Sequence, residues 1–400
     1  MDHKTLMLSA IKGEPTDRIP FVPRLDIWYN ANKINQTLPA RYKNASLTDI
    51  SDDLGLGFHA VIPAFRDYED ENGDADLGLG IYRFKTVPYN AVLHNVKRQV
   101  LRGGGLVSVR YTTPYGDIST KVLYDETMRK SGSTLAHVME YAIKSVDDLR
   151  ALAYIFENIE VIPKYEYYLQ FRENIGQRGL AICFNSLCAS PMHYIMKELI
   201  SVEDFFYMNF DYPGELDQLA ESISRYYDKT FAIAANCPSE VVLSGANYDS
   251  AIVTPPIFEK YVVDSLNTQA QTLHAKGKFL LTHTDGENKG LTALYKKSGF
   301  DIADSICPSP MTNLTLKDIR EEFNGKITIW GGIPSVSVLE ETMSDYEFDQ
   351  YLYTTMESIG NGGHIIFSIA DTTPPAAKWE RILKIDKIIK GFGPVNPMLW

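Results

Sequence analysis

His283 and Asp285 stand two residues apart in the run KFLLTHTDG, at what reads as the end of a β-strand, and Asp304 follows in the next such run, DIADSI. Side chains two apart on a strand point to the same side, as two ligands of one metal must. One imidazole and two carboxylates suit a borderline ion such as zinc and leave a coordination position open for substrate. Each residue also has a plainer reading. His283 would be a hydrogen-bonded strand-end histidine, and Asp285-Gly286 a turn whose Asp caps the next helix. Spacing alone favours the plainer reading for any one residue; convergence of all three on one face favours the metal.

Further candidates end other apolar runs. Asn247, Tyr248 and Asp249 follow EVVLSG and offer substrate hydrogen bonds, an acid or a base, with Asp249 joining His283 and Asp304 as a catalytic candidate. Asn and Asp are also common loop formers ahead of a helix. Arg24 and Asp26 end the first run and are candidates for substrate binding together with Asn247 and Tyr248, or else form an ion pair of no catalytic consequence. Ser368 and Asp371 close the last run, and Cys307, between Pro308 and the residues of DIADSI, is expected to pack rather than react. No G-x-x-x-x-G-K-[ST], G-x-S-x-G or H-E-x-x-H occurs, and no strand is followed by G-x-G-x-x-G, so the usual signatures of NTP hydrolysis, acyl transfer, zincin proteolysis and dinucleotide chemistry are missing.

Such residues need strands that end at one place. Eight short β-branched or aromatic runs satisfy that: 19–28, 58–65, 180–185, 240–245, 278–283, 301–306, 327–332 and 364–368. Helical stretches between the later ones predict an α/β fold with a parallel sheet, and eight such units predict a (β/α)8 TIM barrel, whose chemistry gathers past the C-terminal strand ends. Thr254 before two prolines marks a helix start with Gly277 as its stop, and Ser344 with Glu347 has capping-box spacing, with Asn361-Gly362-Gly363 as the stop. Residues 66 to about 178 break the rhythm. VKRQVLRGGGLVSVRYTTPYGDISTKVLYD reads as antiparallel strands turning at Gly103–Gly105 and Tyr115-Gly116, and VDDLRALAYIFENIE as a helix. The expectation is one domain, 1–400, with an insertion at about 66–178 between strands two and three that serves as a lid, a partner surface or a contact between copies, so a homo-oligomer is an allowed state.

Composition bounds the partners. A 400-residue chain with 39 Lys+Arg against 51 Asp+Glu has net charge −12, the wrong sign for a phosphate backbone, so nucleic acid is excluded as an expected partner. No run of about 18 apolar residues and no cationic leader occurs, and four cysteines form no C-x-x-C pair, so neither a membrane nor export is expected and the compartment expected is the cytoplasm.

The segments DRIPFVPRLDIW, GKFLLTHTDGENKGL, FDIADSICPSPMTNLTLKDIREEFNGKITIWGGIP and HIIFSIADTTPPAAKWERI together resemble the uroporphyrinogen decarboxylase superfamily, most strongly from residue 240 onward and at the N-terminus. The resemblance implies an (α/β)8 barrel and one of two activities. A decarboxylase acting on a polycarboxylate tetrapyrrole needs several arginines, and the family's first-strand Q-A-G-R is missing: PRLDIW offers Arg24 alone, beside Asp26. The other branch, corrinoid-dependent methyltransferases, often holds zinc with His-x-Cys after strand five and a further Cys near strand eight. Here Asp285 replaces the first Cys and FSIADTTPP has none, a harder donor set better matched to oxygen than to sulfur.

Variants with H-x-D-G and A-D-x-x-P-P resemble the substrate-demethylating component of anaerobic methyl-transfer systems. What this implies is a methyltransferase that removes a methyl group from a small methyl donor, an O-methyl aromatic ether, and gives it to a corrinoid on a separate protein, since the chain has no D-x-H-x-x-G cobalamin-ligating motif. The rivals are decarboxylation of a small acid and a barrel that has lost catalysis and serves as a binding subunit.

Overall fold

The computed structural model describes residues 1–61 and 64–397. Within the stretch read as an insertion, β1 (Tyr89–Leu93) pairs antiparallel with β6 (Ile159–Pro163), while β2 (Lys97–Gly103), β3 (Leu106–Thr113), β4 (Gly116–Leu123) and β5 (His137–Glu140) form a four-stranded antiparallel sheet. The tight reversals fall where the glycines stand, and Asp148–Glu157 is a helix packed against this sheet and the long helix Pro213–Asn236. Alternation is visible in β3, whose Val107, Val109 and Tyr111 are buried while Ser108 and Arg110 face out.

The rest of the chain builds one parallel sheet of six strands: β7 (Cys183–Ser186), β8 (Val241–Ala246), β9 (Phe279–His283), β10 (Ile302–Ile306), β11 (Thr328–Pro334) and β12 (Ile365–Ala370), in sequential order with helices between them. The architecture is thus α/β with a six-stranded parallel sheet. β8, β10, β11 and β12 are buried along their whole length, as expected of strands covered on both faces. Neighbouring residues divide between two apolar clusters. Val242, Leu280, Ile329, Ile365 and Phe367 pack with the helices, while Leu243, Leu281, Ile302, Trp330 and Ile366 pack with Val22 and Val61 in a second cluster.

Among the described residues, two expected strands form no ladder. Of 19–28, only Phe21 bridges to Phe367, and a helix starts already at Asp26. The segment nonetheless lies along β12: Val22 N–H donates to Phe367 O (2.8 Å) and Phe367 N–H to Pro20 O (2.9 Å). Of the run 58–65, Ile62 and Pro63 lie outside the described residues. Gly57 N–H donates to Phe21 O (3.0 Å), Phe58 N–H to Arg178 O (2.8 Å) and Ile182 N–H to Ala60 O (3.1 Å), so this segment sits between Phe21 and the approach to β7. The helix expected from Thr254 to Gly277 is two helices, Pro255–Tyr261 and Val263–His274, broken at Val262. Ser344 and Glu347 make the expected capping box.

Candidate active site at the strand ends

Parallel pairing sets Asp304 of β10 directly beside His283 of β9, so the two side chains leave the sheet together. His283 Nδ1 lies 2.9 Å from Asp304 Oδ2, and its Nε2 lies 3.2 Å from Asp371 Oδ1, carried on the residue after β12. Arg24 completes the group: its Nη1 is 3.1 Å from Asp371 Oδ1 and its Nε 3.2 Å from Asp26 Oδ1. Backbone ties hold the two loops together, with Thr373 N–H donating to Arg24 O (2.9 Å) and Arg24 N–H to Ser368 Oγ (3.3 Å). The two carboxylates on His283 differ in access: the Asp304 side chain is 2% exposed, that of Asp371 31%.

The electrostatics follow from that enclosure. Burial alone would push the His283 imidazole down, but the Asp371 and Asp304 carboxylates outweigh it and hold its pKa up at about 10. Against the same burial, His283 and Arg24 hold Asp371 well below the usual carboxylate range, and His283 and His59 lower Asp304. Asp285 goes the other way, raised by burial and by the negative charge of Asp371. Two carboxyls in one pocket are thereby pushed apart in acidity, the pattern that separates an acid from a base.

His283, Asp285 and Asp371 each present a donor atom within 4.8 Å of the others, the metal-competent group found among the described residues. Ligands about 2.0–2.1 Å from a tetrahedral zinc stand about 3.3 Å apart, and the 3.2 Å between His283 Nε2 and Asp371 Oδ1 matches that spacing. Asp304, expected as the third donor, is not in that group. It stands on Nδ1 of the ring whose Nε2 faces Asp371, where it can fix the tautomer and orientation of that ring.

The strand-four candidates meet this site through backbone contacts, and none of their side chains joins the His283 group. Tyr248 is fully buried, its hydroxyl on Thr282 Oγ1 (2.7 Å) and its ring against His193, Phe258 and Tyr295, so it is part of the core. Asp249 is a loop-former: its two oxygens accept from the Ala251 (2.8 Å) and Glu287 (3.2 Å) amides. Asn247, exposed and left-handed at φ 60°, donates its N–H to His283 O (2.9 Å), and its side chain meets Lys197 (3.4 Å). Asp26 accepts from Ile27 N–H as well as from Arg24 at the start of its helix. Cys307 is buried with Sγ near Met311 Sδ and Ala370 O, and burial plus Asp285 and Asp371 push its thiol up to about 12, so it stays protonated.

Sequence reading did not single out His59, whose Nε2 is 3.6 Å from Asp304 Oδ1 and whose ring packs edge-on against Trp330. Alternation along FHAV could have pointed it inward; no motif marks it.

No family model matches the chain, and no curated protein matches it. Among solved structures, one described as a methyltransferase from Methanosarcina mazei is similar over 98% of this chain and 98% of its own, with a TM-score of 0.51 at 13% identity. At that identity the likeness is one of fold.

Proposed function

We propose that the chain is a methyltransferase that takes a methyl group from a small donor, an O-methyl aromatic ether, and passes it to a corrinoid held by a separate protein. The observation that carries this reading is the His283, Asp285 and Asp371 donor set, backed by Asp304 on the far nitrogen of His283. The full-length fold likeness to a structure described as a methyltransferase supports it. We read the six parallel strands, closed through the segments at Phe21 and at Gly57–Ala60, as a (β/α)8 barrel, and the chain as one domain with an insertion at about 66–178. Its place is the cytoplasm, in keeping with four buried free cysteines; among the described residues no helix is long and apolar enough to cross a membrane.

An aryl methyl ether resists cleavage because its phenolate leaves poorly, so charge developing on the ether oxygen must be taken up. Zinc, when bound, supplies a Lewis acid for that oxygen. The chain's own residues make the rest of the site. His283, Asp285 and Asp371 would hold the ion, Asp304 keeps the His283 ring oriented, and Arg24 offsets the charge of two carboxylates while tying the first loop to the last. A hard oxygen-rich donor set fits an oxygen-bound methyl group better than a thiol.

A second reading has its own observation. With a carboxylate on each nitrogen, His283 is held as an imidazolium with a pKa of about 10, and such a cation can itself offer a proton to a leaving oxygen. Metal analysis separates the two. The proposal expects about one zinc per chain in protein purified without chelator, lost in His283→Ala and Asp371→Ala, and methyl transfer from methoxylated aromatics to cob(I)alamin that follows the zinc. Full activity with no stoichiometric metal would establish the acid mechanism, and no transfer from any methoxylated donor would overturn the methyltransferase reading.

A further inference from the structure

The contact with His283 uses one oxygen of Asp304 and leaves the other over. Oδ2 lies 2.9 Å from His283 Nδ1, while Oδ1 is buried and has no hydrogen-bond partner among the described residues. A buried carboxylate oxygen without a donor forfeits the hydration it gave up on folding, so native proteins supply one. The nitrogen that faces Oδ1 is His59 Nε2, 3.6 Å away on a side chain only 9% exposed. That separation is an ion-pair distance just beyond hydrogen-bonding range. The His59 ring makes no other hydrogen bond or ion pair among the described residues.

Two constraints aim this ring. The backbone around it is pinned on both sides: Gly57 N–H donates to Phe21 O, Phe58 N–H to Arg178 O, and Ala60 O accepts from Ile182 N–H. The ring also packs edge-on against Trp330, with centroids 5.1 Å apart. Trp330 is itself the residue beside Asp304 in the register of β10 and β11. A fixed backbone and a packed ring leave Nε2 directed at Asp304, which is how a supporting shell holds a functional group in one geometry.

We propose that His59 is a positioning residue of this site: its Nε2 donates to Asp304 Oδ1, so the carboxylate is gripped at both oxygens and presents Oδ2 to His283 Nδ1 in one orientation. The proposal rests on the methyl-transfer reading only for its effect on zinc. Two measurements test it. In the metal-free full chain with 15N-labelled histidine, the His59 Nε2 proton should resonate downfield of an unbonded imidazole proton and move in Asp304→Asn. Zinc affinity should fall about tenfold in His59→Ala and return to within about threefold of wild type in His59→Gln, whose amide nitrogen can take the place of Nε2. In an Asp304→Asn background, His59→Ala should add less than a twofold loss, because the two residues act through one contact. An unshifted His59 proton, equal losses in His59→Ala and His59→Gln, or a full further loss in the Asp304→Asn background would each overturn it. Should the wild type bind no zinc, the metal reading falls and the proton resonance alone decides the role of His59; it decides likewise should His59→Ala fail to fold.

Discussion

Asp304 and Asp371 grip one imidazole from opposite sides, and their burial separates their tasks. Asp371 keeps an open edge for a ligand, whereas Asp304 is sealed and can act only through the ring. On the proposed zinc site, replacing Asp304 by Asn should therefore weaken zinc affinity about 10- to 100-fold, the usual cost of losing such a support, while Asp371→Ala should abolish binding; titration against a metallochromic chelator distinguishes the two. His193 gives a pH prediction independent of the site. Its Nδ1 accepts the Ala189 N–H (3.1 Å) in a fully buried setting, and burial, with Lys197 nearby, lowers its pKa to about 3. A histidine depressed in the folded state is neutral in both states above its unfolded value near 6.5, so stability is full there and falls on acidification, by up to about 1.4 kcal/mol per pH unit for the one extra proton bound by the unfolded chain. Denaturant melts between pH 7 and 4 should show this slope, and His193→Asn, which keeps an acceptor for Ala189, should flatten it. Of these residues His283 was legible from its neighbours in sequence. The part played by Asp371 was not, because it depends on which strand end the last strand brings to His283, a matter of sheet order rather than spacing.

Elements explain why some candidates drop out. The run after β8 shows Asn, Tyr and Asp in a row, and sequence gives no sign that the middle one turns inward. Gly245 supplies the reason: at φ 88° it has no side chain where the Tyr248 hydroxyl and Thr282 Oγ1 sit, so the tyrosine folds back beneath the strand end. Gly245→Ala meets both a strained backbone and the Tyr248 hydroxyl, and should destabilise by about 2–4 kcal/mol, read as a lower urea midpoint with unchanged slope. Strand interiors from β7 to β12 were readable to within about three residues because continuous apolar runs between capped helices leave little choice. Strand one was overextended because PRLDIW carries apolar residues on past Val22, where the backbone already turns towards the helix at Asp26.

At the scale of the molecule, the chain ends are joined by aromatic contact as well as by hydrogen bonds. Trp379, at the start of the last long helix, stacks on Trp28 of the first loop's helix (4.8 Å between rings, 14° apart) and meets Tyr42 edge-on. Trp379→Ala should cost about 2–4 kcal/mol and loosen the N-terminal segment first, so hydrogen exchange at Val22 and Phe367 should quicken more than in β8 or β9. The extended segment at Phe21 also sets an order on synthesis. Its backbone partner, Phe367, lies some 350 residues downstream, which at 5–20 residues per second leaves the ribosome roughly 20–70 s later. This segment, made long before its partner, is thus paired late, and throughout that interval the nascent chain carries IPFV bare, a stretch that a chaperone must shield or a protease can find.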